Sequence, residues 1–331
     1  MQFPYKIWPM IWIVLTCQSS AWSLFERQAA NTTVTNEIES GSSSNRFVAG
    51  WEYLVSMAMT EFTNNRPPSH DTPPSRCRCS CGERNYDVET RIVGGKETVR
   101  NVYPWMARLS IFGRFFCGGT LINDRYVLSA AHCVRNYVWF FIKVTFGEHD
   151  RCDPNALPEA RYVLRAISQS FNIGNYNDDI ALLRLNDRVP INKVIRPICL
   201  PNRRSLHYAG TEGVVAGWGS TDENGTQTCV LNEVKVPILT NLECTQLSSY
   251  ASGMVTENMM CAGFPEGKAD SCQGDSGGPL MVQRNDKRYE IAGIVSWGIG
   301  CGRSHYPGVY TRVTRYLNWI RQNTRDACYC R

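Results

Sequence analysis

The sequence has no apolar run long enough to cross a bilayer. The apolar run near its start, residues 7–17, falls well short of the roughly 20 residues that a spanning helix needs, and Pro9 interrupts it. There is no basic run that could track a phosphate backbone, because the net charge of +5 comes from scattered Lys and Arg. No repeat of solenoid or propeller period is present. These absences exclude a repeat architecture and argue against nucleic-acid binding.

What the chain does have at its start is a pattern typical of a secretory signal. Lys6 precedes the apolar run 7–17, and Ala21 to Ser23 supply small residues where a signal peptidase cuts. We therefore predict a signal peptide over 1–23 and a secreted, extracellular protein. A membrane anchor in the same segment is the alternative.

The cysteine count agrees with an oxidising destination. Of 15 cysteines, one, Cys17, lies in the predicted signal, which leaves 14, an even number that allows seven disulfides. Asn31 and Asn224 begin Asn-x-Ser/Thr triplets and are candidate glycosylation sites.

The remaining chain divides at Arg91. Residues 24–91 form a predicted pro-segment, largely flexible because its first part is rich in Ser, Thr, Asn and Pro. Beyond Arg91, short runs with period-two alternation predict an all-β domain over 92–331, built as one or two barrels or a sandwich. The spacing of Val313, Tyr316, Leu317 and Ile320 predicts a C-terminal helix.

Three separated segments together supply the groups needed for nucleophilic catalysis. Ser276 lies among glycines in the segment 274–279, where backbone and substrate can approach its hydroxyl. His132 can act as a base, and Asp179 can orient it, in the chain order His, Asp, Ser.

On these segments the chain resembles the chymotrypsin–trypsin family of serine proteases over 92–331. The resemblance implies two antiparallel six-stranded β-barrels with a C-terminal helix, a catalytic triad of His132, Asp179 and Ser276, and an oxyanion hole made by the amides of Gly274 and Ser276. Asp178 is expected to be a solvated neighbour. A catalytically silent homologue that binds partners is the alternative function.

The resemblance also implies substrate specificity and activation. Asp270, six residues before Ser276, matches the base of a pocket that demands Arg or Lys, and other matching residues line that pocket: Ser271, Ser296, Trp297, Gly298 and Gly308. Cleavage after Arg91 would free the α-ammonium of Ile92 to pair with Asp275 and order the active site.

Several disulfides follow from the resemblance. Three pairs match family bridges and a fourth would tether the pro-segment after cleavage: Cys117–Cys133, Cys244–Cys261, Cys272–Cys301 and Cys81–Cys199. Cys152 and Cys229 fall in loops that are neighbours in the family fold, so they are predicted to pair. The remaining four allow three pairings that the sequence cannot rank, and a clamp between pro-segment and C-terminus is one hypothesis: Cys77, Cys79, Cys328 and Cys330.

The loop 148–159 matches the calcium loop of trypsins. Glu148, Asp150 and Glu159 offer oxygens to a calcium ion, although no cofactor is required and no metal site is assigned. The implied partners are proteins with Arg or Lys at the cleaved bond, a trypsin-like activator or the chain itself, and protein protease inhibitors. No nucleic acid and no membrane partner are expected.

Overall fold

The computed structural model describes residues 78–85, 96–203, 207–223, 225–267 and 271–331. Seven residues or segments named by the sequence predictions lie outside these ranges: 1–23, Asn31, Cys77, Arg91, Ile92, Asn224 and Asp270. None of the helices in the described ranges has the length and apolar character of a membrane span.

The first half of the domain is a closed six-stranded barrel. Antiparallel pairing runs in the order β2-β3-β4-β7-β6-β5, and β5 returns to β2. The short strand β1 lies outside this barrel. The strands are β1 (Lys96–Glu97), β2 (Met106–Ile111), β3 (Arg114–Leu121), β4 (Tyr126–Ser129), β5 (Lys143–Phe146), β6 (Glu159–Ser168) and β7 (Ala181–Leu185).

The second half is a sheet in the order β1-β9-β10-β13-β12-β11-β8, in which β8 also pairs with β9 and closes a second six-stranded barrel. The two antiparallel barrels expected from the resemblance are therefore confirmed. The strands are β8 (Glu212–Gly217), β9 (Asn232–Leu239), β10 (Met259–Ala262), β11 (Pro279–Gln283), β12 (Tyr289–Trp297) and β13 (Gly308–Arg312).

Helices are short in the described part of the chain: α1 (Ala131–Val134), α2 (Asn241–Leu247) and α3 (Leu317–Asn323), with 3₁₀ turns at Trp139–Phe141 and Val313–Tyr316. The periodic residues of the predicted C-terminal helix are all buried, but the first turn of this segment is 3₁₀ and only the rest is α-helical. The C-terminal helix is confirmed.

One apolar cluster spans the two barrels, and the second barrel has a further cluster of its own. Trp105 from the first barrel is fully buried, and its indole N–H faces the sulfur of Met281 in the second. The amide of Gly118 on β3 donates to the carbonyl of Ser276 at 2.8 Å. This packing places the Ser276 loop against the segment that leads into α1.

Six disulfides join described cysteines. Five are the pairs expected from the resemblance, and the sixth joins Cys79 to Cys330: Cys81–Cys199, Cys117–Cys133, Cys152–Cys229, Cys244–Cys261, Cys272–Cys301 and Cys79–Cys330. The Cys79–Cys330 bond clamps the end of the chain to the segment that precedes Arg91, and Cys328 is also disulfide-bonded.

Candidate active site

His132 and Asp179 form a direct hydrogen-bonded pair. The short helix α1 presents His132, and its Nδ1 lies 2.7 Å from Oδ2 of Asp179. The backbone amide of His132 donates to Oδ1 of the same carboxylate at 2.8 Å. A carboxylate at this distance holds the proton on Nδ1 and leaves Nε2 able to accept one.

The Asp179 side chain is fully buried and is supported from the second barrel. The hydroxyl of Ser296 on β12 donates to Oδ2 at 2.6 Å, and that of Thr311 on β13 donates to the backbone carbonyl of Asp179 at 2.7 Å. A buried carboxylate needs such donors because burial removes its hydration. Ser296 therefore helps hold the orienting carboxylate, a contact that the sequence resemblance did not suggest.

The loop that carries Ser276 depends on glycines. Gly277 has a φ of +79°, and a Cβ there would lie 2.3 Å from the Ser129 hydroxyl. Only glycine allows both the left-handed backbone and this approach. The amide of Gly277 donates to the Val295 carbonyl at 2.9 Å, so the loop rests on β12.

The amides of Gly274 and Ser276 donate to no acceptor within the described ranges. Gly274 is buried and has a φ of +102°, a conformation that turns the backbone sharply before the serine. Two unused amide donors beside a serine hydroxyl form a site that can accept a negatively charged oxygen.

The structure does not bring Ser276 within hydrogen-bond distance of His132. Nε2 of His132 lies instead 3.6 Å from the sulfur of Cys133. Hydrogen bonds between catalytic residues are often long in a protein without substrate. The missing Ser276–His132 bond therefore does not remove either residue from the candidate site.

Asp275, next to the serine, is a buried carboxylate with two backbone donors. Its oxygens accept from the amides of Gly219 at 2.8 Å and Cys272 at 3.0 Å. Burial raises the pKa of this carboxyl from 3.8 to about 6, and the two amide bonds only partly oppose that shift. Glycine is required at 217 and 219, because a Cβ at either would lie within 2.5 Å of this side chain. No cation in the described ranges pairs with Asp275.

Two glycines lie close together in the described part of the predicted specificity pocket. A Cβ on Gly298 would lie 3.9 Å from the Cα of Gly308, so these residues face each other without side chains between them. The Ser271 hydroxyl lies 3.2 Å from that of Tyr310, and the ring of Trp297 packs edge-on against Tyr250 at 5.1 Å.

The residues of the predicted calcium loop do not fit a calcium ion. Both oxygens of Glu148 accept hydrogen bonds from Arg108, Glu159 contacts Arg161, and Asp150 accepts from the amide of Cys152 at 2.9 Å. The two clusters of metal-type side chains found in the described ranges both contain disulfide-bonded cysteines, which cannot serve as thiolate ligands. Arg108 was not identified from the sequence, because a lone Arg in a strand carries no motif.

Asp178 differs from its expected role as a solvated neighbour. It is half-buried and accepts hydrogen bonds from Tyr316 at 2.6 Å, Asn258 at 3.1 Å and Asn177 at 2.9 Å. The ring of Tyr176 in the same loop lies 5.9 Å from that of His132. Asp178 therefore anchors the loop that delivers Asp179.

Comparison with known proteins agrees with this geometry. The family model for trypsin matches residues 92–320. The chain is 37% identical to rat transmembrane protease serine 11G over 74% of its length and 58% of the relative's, and 39% identical to human transmembrane protease serine 11B over 71% and 56%. It is 37% identical to the Drosophila melanogaster serine proteinase stubble over 76% and 33%.

The chain thus spans about half the length, or less, of the curated relatives it matches. The match over most of the chain and the two closed barrels agree with the resemblance read from the three catalytic segments. The chain belongs to the trypsin family of serine proteases.

Proposed function

We propose that this protein is an extracellular serine endopeptidase, made as a zymogen, that cuts other proteins after Arg or Lys. One observation carries the proposal: the 2.7 Å bond between His132 and the buried carboxylate of Asp179 lies beside a serine loop whose amides at 274 and 276 have no acceptor among the described residues. This arrangement contains a base, the group that orients it, and a site for an oxyanion.

The reaction follows from these groups. His132 Nε2 takes the proton of the Ser276 hydroxyl as its oxygen attacks the substrate carbonyl, and Asp179 stabilises the imidazolium that forms. His132 then protonates the leaving amine as the peptide bond breaks, which leaves an acyl group on Ser276. Water attacks that ester by the same route and gives its proton to His132, which passes it to the Ser276 oxygen as the acyl–oxygen bond breaks and the acid is released.

The amides of Gly274 and Ser276 would stabilise the negative oxygen of each tetrahedral intermediate. Each such donor is typically worth about 3 kcal/mol of barrier. The absence of a described acceptor for either amide supports this role.

Specificity for Arg or Lys would rest on Asp270, whose position in the sequence matches the base of the family's pocket. Its negative charge would pair with the substrate cation, and Ser271 would add a hydroxyl contact to a Lys ammonium. The absence of side chains at Gly298 and Gly308 supports entry of a long side chain.

Activation by cleavage after Arg91 is supported by the state of Asp275. A buried carboxylate with a pKa near 6 gains free energy from a cation, and the α-ammonium released at Ile92 would be that cation. Pairing would fix the loop from Gly274 to Ser276, so the oxyanion hole and the pocket would form together.

Hydrolysis of chromogenic peptides ending in Arg, Lys or Phe tests these proposals. The protein is assayed before and after cleavage by immobilised trypsin, which is then removed, and N-terminal sequencing confirms a new end at Ile92. We expect Arg and Lys turnover only after cleavage. The Ser276→Ala variant measures residual trypsin, and Arg91→Gln controls for cleavage elsewhere.

Absence of turnover after confirmed cleavage would favour the alternative, a silent homologue that binds partners. Turnover of Phe peptides instead of Arg would contradict the assigned pocket.

The six disulfides support an extracellular location. Since two relatives are named as transmembrane proteases, anchoring through residues 7–23 is the alternative. Mature protein in the medium that begins after Ser23 would support secretion, whereas an intact Met1 in the membrane fraction would support anchoring.

A further inference from the structure

An open cleft of about 610 Å³ lies between the turn that joins β11 to β12 and the C-terminal segment after α3. None of its lining residues is acidic, and five are arginines: Arg284, Arg288, Arg321, Arg325 and Arg331. The cleft shares no residue with the candidate active site. Its charge therefore has no role in the proposed reaction.

Acidic residues of the described ranges leave most of this positive charge unneutralised. Arg284 and Arg288 share the single carboxylate of Asp286, at 3.4 and 2.8 Å, and Arg284 lies 4.0 Å from Glu290. Three exposed arginines form no ion pair with any residue in the described ranges: Arg321, Arg325 and Arg331. These guanidinium groups can therefore donate hydrogen bonds to a ligand that carries several negative charges.

The cleft is held by covalent and ionic anchors. Cys81–Cys199 and Cys79–Cys330 both line or border it, and the amide of Arg331 donates to the Cys79 carbonyl at 3.0 Å. Nearby, Asp326 accepts hydrogen bonds from Tyr126 at 2.7 Å and Arg184 at 2.9 Å. The backbone that carries the arginines is thus fixed before a ligand arrives, which lowers the entropic cost of binding.

We propose that this arginine cleft binds a sulfated polysaccharide. Guanidinium groups donate paired hydrogen bonds to planar or tetrahedral oxyanions, and all five cations are Arg and none is Lys. Apart from the disulfide cysteines, the apolar lining side chains are Leu200, Ala327 and Tyr329, which are fewer than the five arginines, so charge is the feature that selects the ligand. The disulfides indicate an oxidising exterior, where sulfated polysaccharides are the repeating polyanions available.

Heparin affinity chromatography with a salt gradient tests this inference, using Ser276→Ala protein so that binding is measured without proteolysis. Failure here leaves the proposed protease function untouched, since the assay does not depend on catalysis. A triple variant, Arg321→Gln, Arg325→Gln and Arg331→Gln, should elute at lower salt. At physiological salt we expect it to bind at least about ten-fold more weakly.

The matched control removes three other exposed charges: Arg100→Gln, Arg114→Gln and Lys143→Gln. It should elute with the parent, and both variants should keep the parent's melting temperature. An equal loss in the control would show that binding depends on diffuse surface charge and would overturn the site, as would an unchanged triple variant.

Desulfated heparin should bind more weakly than heparin. Polyglutamate binding as tightly as heparin would overturn the choice of ligand in favour of an acidic protein segment.

Discussion

The buried carboxylates of the two barrels differ in the partners that they contact. In the first, Asp179 bonds to His132 and Glu148 bonds to Arg108, so each acid meets a basic side chain of the same barrel. In the second, the only partners of Asp275 within the described ranges are backbone amides, and burial raises the pKa of Glu290 despite a hydrogen bond from Tyr208 and the ion pair with Arg284.

Under the proposed activation, this difference leaves the part of the site on the first barrel ordered in the uncut chain and the part on the second barrel incomplete. The first barrel contains the partners for its own charges, so the His132–Asp179 pair forms in the uncut chain. In the second, no cation of the described ranges lies beside Asp275, and the proposed cleavage would supply one. The predictions below test this contrast from its largest expected effect to its smallest.

Neutralising the compensated carboxylate should cause the largest loss. In the cleaved protein, Asp179→Asn removes the charge that holds the proton on His132 Nδ1, and we expect kcat to fall about 10,000-fold, as for the same change in the family's best-studied triad. Chromogenic peptide hydrolysis measures the loss. Asp187→Asn is the matched control, because it neutralises a carboxylate of the same barrel that accepts only from the amide of Arg188 among the described residues. A comparable loss in the control would contradict the assigned roles.

Neutralising the uncompensated carboxylate should cost less, and only after cleavage. Asp275→Asn leaves no negative charge for the Ile92 ammonium, so the amides of Gly274 and Ser276 lose their fixed positions. We expect kcat/KM to fall about 100- to 1,000-fold, the effect of losing one oxyanion donor. Glu290→Gln is the control, since it removes another buried acid of the same barrel. Full activity of the Asp275→Asn protein would disprove the activation scheme.

Because Asp275 has no cationic partner among the described residues, the free energy of unfolding of the uncut chain should depend on pH. Because burial raises the folded-state pKa of Asp275 from 3.8 to about 6, its contribution is fully present below pH 4 and is lost as pH rises through 6. The change amounts to about 3 kcal/mol at most. Urea unfolding of uncut protein from pH 4 to 7 measures it, and the difference from Asp275→Asn isolates this group. Identical pH profiles would refute the raised pKa.

Cleavage should reverse this dependence. An ammonium beside Asp275 favours the ionised carboxylate, so the cleaved protein should no longer lose stability between pH 4 and 6. Comparing cut and uncut forms of the Ser276→Ala protein avoids self-digestion. If both forms lose stability equally as pH rises, Ile92 is not the partner of Asp275.

The sequence predicted the architecture because family motifs carry it. Ser276, His132 and Asp179 each stand in a recognisable segment, and period-two alternation follows from strands with one buried face. Contacts between residues distant in the chain could not be predicted in this way. Thr311 reaches the Asp179 carbonyl from a strand 132 positions away, and nothing near either residue in the chain signals that bond.

The predicted calcium loop shows that ion pairs between residues distant in the chain could not be predicted from the sequence either. Acidic residues at family positions suggested oxygen ligands, and only the folded barrel shows that β2 places Arg108 against Glu148. Likewise, the sequence did not decide how the last four cysteines pair, because the pairing depends on where residues 324–331 fold back. These cysteines are Cys77, Cys79, Cys328 and Cys330. The Cys79–Cys330 bond could be assigned only from that path.

The smallest predicted effect concerns Glu148, whose side chain is 4% exposed, and its partner Arg108, 14% exposed. Arg108→Met leaves the carboxylate buried without a cation and should destabilise the protein by about 2 kcal/mol. The double variant Arg108→Met with Glu148→Leu should recover most of that loss, because no charge is left unpaired. Calcium should not raise the melting temperature of the parent, since Arg108 already occupies both oxygens of Glu148. A clear rise with calcium would show that the loop exchanges its arginine for a metal ion, and the first barrel would then also depend on a cation from outside.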